Sequence, residues 1–295
     1  MTHQDLREGR IIRFRAQDDL QLAARIFEAP DSLELPVICL PGFARNSRDF
    51  IRLGQFLSQD ANRPRTVLAV DYRGRGLSAY DRNWKNYTPL VEAQDVMALA
   101  TSLGIERASF VGTSRGGVIA MLLGVLRPGL IAGAALNDVG PVTSGTGLAR
   151  MKRYLRSARP ASNWDEAIVL VHRMLGSGFT ALDDDDWRSL AEAVFRDMDG
   201  SLQPDYDPNL LRTLEELGYE AAIPVLWPQF STLRRVPVLS IRGESSDWLS
   251  EDTVALMSEG HPDLTAVTVT GQGHAPLLRD AVTLQTISSF LERCR

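Results

Sequence analysis

The chain has 295 residues, 44% of them apolar, and a formal net charge of -5 at pH 7. That is enough chain and enough apolar side chain for one large domain with a substantial core, or a domain with an insertion, and it excludes disorder. Lysines and arginines are scattered among acids instead of forming the basic stripe that phosphate backbones require, so nucleic acid is not expected as a partner.

The first residues, MTHQDLREGR, are polar and mixed in charge with no apolar stretch behind them, and no run of roughly 18 apolar residues follows anywhere. The expectation is a soluble, unexported, cytoplasmic protein with no membrane partner. GRIIRFRA and LQLAARIFEA flank QDD and read as an antiparallel hairpin on a sheet edge. From Val37 the chain alternates: PVICL, RTVLAVD, ASFVG and IAGAALND are short apolar strand patterns, with longer amphipathic stretches such as Pro89 to Leu103 between them. A parallel sheet covered by helices on both faces produces that pattern. Between Gly140 and about Thr232 the patterns are helical only, over Gly147 to Ser157, Trp164 to Leu175, Asp186 to Asp197 and Pro208 to Leu217. Strands resume at VPVLSIRGE and LTAVTVTG, and a helix from about Val282 to Arg293 closes the chain. The expected organisation is an α/β core in two parts, 1–140 and 233–295, interrupted by an all-helical insertion over 141–232. The acidic run Asp183 to Asp186 opens a helix, where carboxylates satisfy exposed N–H groups and oppose the dipole, so no metal is expected there. Cys39 and Cys294 sit in different surroundings and are expected to be free thiols.

RASFVGTSRGGVIAMLLG, from Arg107 to Gly124, passes from strand to helix with almost no connector. Such a turn strains its central residue and needs small neighbours, which Gly112 and Gly116 provide. Ser114 would then stand clear of the C-terminal edge of the sheet, before a helix N-terminus that favours developing negative charge: a displayed nucleophile. A serine hydroxyl needs a base, and of the four histidines His274 follows the last strand and returns to the same edge. The orienting acid is expected to be Asp247, just past VPVLSI, with Asp138 at the end of IAGAALN as the alternative.

With LPGF, DYRGRGLS, GTSRGG and GQGHAPLL each in the corresponding place, the chain resembles the α/β-hydrolase superfamily from the hairpin to the last helix. The resemblance implies a mostly parallel, eight-stranded sheet flanked by helices, with the insertion as a helical cap over the active site. It also implies an oxyanion hole made by the backbone N–H groups of Phe43 and Arg115. Many relatives have His-Gly where this chain has Pro41-Gly42, which leaves the backbone donor but removes a polar support. Relatives that cleave alkyl halides and epoxides carry aspartate at the elbow, so Ser114 points to acyl chemistry.

The expected function is therefore a serine hydrolase acting on a small carboxylic ester through an acyl-enzyme, with neither metal nor organic cofactor. The alternatives are a carbon–carbon bond hydrolase of a diketone-type ring-cleavage product, against which the absence of a GPG loop counts, and a slow or inactive small-molecule receptor on the same fold. Arg115 opposes the dipole of its own helix, and Arg45 begins near the same mouth. Either both tie loops together through nearby acids, or one recognises a substrate carboxylate. Trp227 and Phe230, with Met151, Leu155, Met174, Leu175 and Phe179, are the expected apolar lining of a pocket above Ser114.

Overall fold

Short apolar runs become buried strands. The computed structural model describes residues 8–216 and 225–295, so His3 and the expected helix end at Leu217 lie outside the described residues. Six strands come first: β1 (Arg10–Arg15), β2 (Gln21–Phe27), β3 (Val37–Leu40), β4 (Val67–Asp71), β5 (Ala108–Thr113) and β6 (Ile131–Asn137). After the inserted segment come β9 (Val238–Gly243) and β10 (Leu264–Val269). Together they form an eight-stranded sheet in the order β1-β2-β4-β3-β5-β6-β9-β10. β2 runs antiparallel to both β1 and β4, and every later pairing is parallel. Every residue of β3, β4 and β6 is buried, as expected of strands covered on both faces. Edge strand β10 has no fully buried residue.

Helices α1 (Ile51–Ser58), α2 (Pro89–Ser102) and α3 (Arg115–Leu126) lie between the early strands. Thr88 caps α2 through its side chain, with Pro89 in the first turn. One core, with Phe110, Ile119, Met121 and Leu136, packs α2 and α3 on one face of the sheet. The other, with Val37, Phe50, Leu53 and Ile287, packs α1 and the C-terminal helix on the opposite face. Cys39 and Cys294 are free and buried.

Between β6 and β9 the chain forms α4 (Gly145–Arg156), α5 (Trp164–Leu175), α6 (Asp184–Val194), α7 (Leu210–Glu216) and α8 (Trp227–Ser231). This segment is not all-helical. α6 stops at Val194, and β7 (Phe195–Met198) pairs antiparallel with β8 (Ser201–Pro204). Asp199 at φ 54° and Gly200 at φ 86° make the two-residue turn, the Asp-Gly signature of a tight hairpin. Asp183 caps α6, its carboxylate accepting from the N–H of Asp186 at 2.8 Å. Among the described residues no group of three or more His, Cys, Asp or Glu is disposed to hold a metal ion, and no helix is long and apolar enough to cross a membrane. Buried Asp205, after the hairpin, fixes the segment to the core by accepting from Arg48 at 2.6 Å and from Asn46 at 3.1 Å. The remaining helices are α9 (Glu251–Gly260) and α10 (Ala281–Leu291).

Candidate active site

Strand β5 ends at Thr113 and α3 begins at Arg115, so Ser114 alone makes the turn, at φ 51° and ψ -112°. A positive φ costs a residue with a side chain about 1–3 kcal/mol, and surrounding packing must hold it. That packing requires glycine: a Cβ at Gly112 would stand 2.6 Å from the backbone of Gly116, and one at Gly116 would stand 2.0 Å from the carbonyl oxygen of Leu40.

Ser114 Oγ lies 2.9 Å from His274 Nε2, and His274 Nδ1 lies 2.8 Å from Asp138 Oδ2. Asp138 is fully buried at the end of β6. Its Oδ1 accepts from the N–H of Gly243 at 2.8 Å, and its Oδ2 also accepts from Ser246 Oγ at 2.6 Å. The indole of Trp248 stacks on the His274 ring, with centroids 4.6 Å apart and planes 15° apart. Asn137 Nδ2 donates to the carbonyl of Pro276 at 2.8 Å, which ties the end of β6 to the loop that carries His274. Chemically, a hydroxyl on an imidazole whose other nitrogen faces a buried carboxylate can lose its proton to that ring as it attacks an electrophile.

The hydroxyl opens into a cavity of about 740 Å³, bounded by Gly42, Phe43, Ser114 and His274 from the core and by Met151, Leu155, Met174, Leu175 and Phe179 from the inserted segment. Its volume suits a small organic molecule.

The alpha/beta hydrolase family model matches residues 37–286. The chain belongs to that family. This hydrolase is 28% identical over 261 residues to a 3-hydroxybutyrate-oligomer hydrolase of Cupriavidus necator, covering 86% of this chain and 87% of that protein. It is 28% identical over 229 residues to a 2-(acetamidomethylene)succinate hydrolase of Mesorhizobium japonicum, covering 77% of this chain and 78% of that one. Among solved structures, an alpha/beta hydrolase from Novosphingobium aromaticivorans superposes with a TM-score of 0.89 at 36% identity, covering 97% of this chain and 99% of its own.

Several residues of the hydrolase lie elsewhere than the sequence suggests. Asp247 does not reach His274: its carboxylate pairs with Arg150 of α4 at 2.7 Å. Since β6 lies next to β5, whereas β9 lies one strand further out, the end of β6 is the shorter route to a ring already beside Ser114. The loop after β9 contributes Ser246 and Trp248 instead, which the segment GESSDWLS gives no means of separating from Asp247. The Arg115 side chain is turned into the core, bonded to Glu92 and donating to the carbonyl of Tyr87 at 2.8 Å, and so is committed away from any substrate carboxylate. Arg45 does line the cavity, but it is paired with Asp49 four residues on. Trp227 and Phe230 do not line it: α8 packs on α3, and both rings join the core beneath the sheet edge.

Proposed function

We propose that this hydrolase is a serine esterase that cleaves a small carboxylic ester through an acyl-enzyme intermediate. The observation that carries the reading is the chain of contacts Ser114–His274–Asp138, at 2.9 and 2.8 Å, with Ser114 and His274 lining a cavity whose wall combines apolar side chains with arginines such as Arg45 and Arg150. In this mechanism Ser114 Oγ attacks the ester carbonyl carbon while His274 Nε2 takes its proton. Asp138 holds the imidazole through Nδ1–H and stabilises the cation. The tetrahedral oxyanion rests on the N–H groups of Phe43 and Arg115, each donor contributing about 3 kcal/mol. Collapse expels the alcohol, which receives the proton from His274. Water, deprotonated by the same ring, then attacks the acyl carbon, and the second collapse frees the acid as His274 returns the proton to Ser114 Oγ. Asp138 takes the role that the sequence pattern suggests for Asp247. The segment 141–232 acts as the cap that closes the acyl site.

A fluorophosphonate probe should label the protein at Ser114, and Ser114→Ala should abolish both labelling and nitrophenyl ester turnover. The substrate panel should run from acetate to octanoate esters and include a 3-hydroxybutyrate ester, after the name of the Cupriavidus relative, and a diketone. Labelling at a different serine would remove Ser114 from the reaction. A diketone split faster than every ester would move the function to carbon–carbon hydrolysis.

A further inference from the structure

Proline at position 41 offers the Gly42–Phe43 turn no side-chain donor, yet the turn is held on three sides. The carbonyl of Gly42 accepts from the N–H of Arg45 at 3.2 Å. Because the C=O and N–H of a trans peptide point in opposite directions, the N–H of Phe43 is turned away from that bond. On one side the Tyr72 hydroxyl donates to the carbonyl of Pro41 at 3.3 Å, and on the other Arg75 Nε donates to the carbonyl of Phe43 at 2.9 Å. Burial, with Glu92 nearby, pushes the Tyr72 hydroxyl well above its ordinary range, so it remains a donor.

Arg75 is wholly buried, and so is the carboxylate it meets: Arg75 Nη1 lies 2.9 Å from Glu92. The other oxygen of Glu92 accepts from Arg115 Nε. Both guanidinium groups lie against the Phe43 ring, Arg75 at 5.6 Å and Arg115 at 5.0 Å from its centroid. One carboxylate thus joins the residue that grips the Phe43 turn to the residue directly after Ser114. A buried and a partly buried cation on one buried anion are a weak source of stability, because desolvation offsets the attraction. What the cluster does supply is placement: Arg115 Nε bonds to one oxygen of Glu92, while Arg75, in charge contact with the other, donates through Nη1 to the carbonyl of Arg73 at 2.7 Å and through Nε to that of Phe43 at 2.9 Å.

We propose that Glu92 is a positioning residue: through Arg75 and Arg115, this one buried carboxylate sets the aim of both backbone donors of the oxyanion hole. The inference rests on the acyl-transfer reading above. The donors serve the tetrahedral oxyanion far more than the planar ester, so loosening them lowers kcat and leaves KM nearly unchanged. Glu92→Gln keeps the shape and removes the charge. It should lower kcat by about tenfold or more with KM within about twofold. Affinity for phenylboronic acid, whose adduct on Ser114 is a tetrahedral anion, should fall by the same factor as kcat/KM. Arg115→Met keeps the backbone donor and removes one arm of the cluster; it should shift kcat and boronate affinity in the same direction and serves where Glu92→Gln fails to fold. Arg115→Lys should recover part of the loss. Folded variants with kcat and boronate affinity within about twofold of the parent, or with the whole loss in KM, would reduce the cluster to an anchor of the fold. A parent protein that neither turns over an ester nor labels at Ser114 would overturn the acyl-transfer reading itself, a failure visible before any substitution is made.

Discussion

Both oxygens of Asp138 are engaged: one accepts from the N–H of Gly243, and the other accepts from Ser246 Oγ and faces His274 Nδ1. A carboxylate held this way keeps the imidazole in one orientation and one tautomer, which a neutral amide of the same size cannot do. Asp138→Asn should therefore lower ester turnover by about three to four orders of magnitude, with the circular dichroism spectrum unchanged. Asp247 pairs with Arg150, partly exposed and without contact to His274, so Asp247→Asn should change turnover by no more than about fivefold. The reverse ranking in the same assay would return the acid to the loop after β9. Ser114 and His274 could be singled out in the sequence because a glycine-flanked strand-to-helix turn and a strand-to-helix junction each fix a place on the sheet edge. Two aspartates occupy equivalent places by the same logic. What separates them is lateral strand order, and that order depends on pairings between segments about a hundred residues apart, such as β6 with β9.

The strand–elbow–helix unit is as tight as the glycine spacing implies, and its tightness can be measured. The methyl group of Gly116→Ala would meet the Leu40 carbonyl at 2.0 Å. Neither strand β3 nor helix α3 can yield without moving Ser114. We expect a loss of roughly 2–4 kcal/mol in urea denaturation, with fluorophosphonate labelling reduced in whatever remains folded. Exposed Gly129 has open space where its Cβ would be, so Gly129→Ala should stay within about 0.5 kcal/mol of the parent. Equal stability of the two variants would mean that the elbow relaxes at no cost. Elsewhere, elements whose period and boundary signals agree were readable before folding: the buried runs of β3 to β6, and α5 behind its Asn163 cap. The β7–β8 hairpin was not, because Phe195 to Met198 continue the spacing of α6. Only the left-handed pair Asp199–Gly200 turns them into a strand.

At the scale of the molecule, the cavity belongs to neither part of the chain alone. The core supplies Ser114, His274 and Phe43, and the inserted segment supplies the apolar wall of Met151, Leu155, Met174, Leu175 and Phe179. The apolar spacing of helices α4 and α5 reveals that wall in the sequence, apart from Phe179 in the turn after α5. It equally suggests Trp227 and Phe230, since an apolar face does not say which of two neighbours it will cover; α8 turns its face to α3 instead. If the wall is where the acyl chain lies, filling it should act on chain length and leave the chemistry alone. Met174 lies on α5 and lines the cavity, so Met174→Trp removes volume there while leaving Ser114, His274 and Asp138 unchanged in sequence. An acetyl ester leaves the far part of a 740 Å³ cavity unused and should keep kcat/KM within about threefold. An octanoyl ester needs that space and should lose about tenfold or more, with the loss growing steadily through butyrate and hexanoate. Equal losses on all four esters would mean that the substitution disturbs the elbow or the histidine loop. No loss on any of them would place the acyl chain outside this cavity and leave the inserted segment to contact the alcohol side of the substrate.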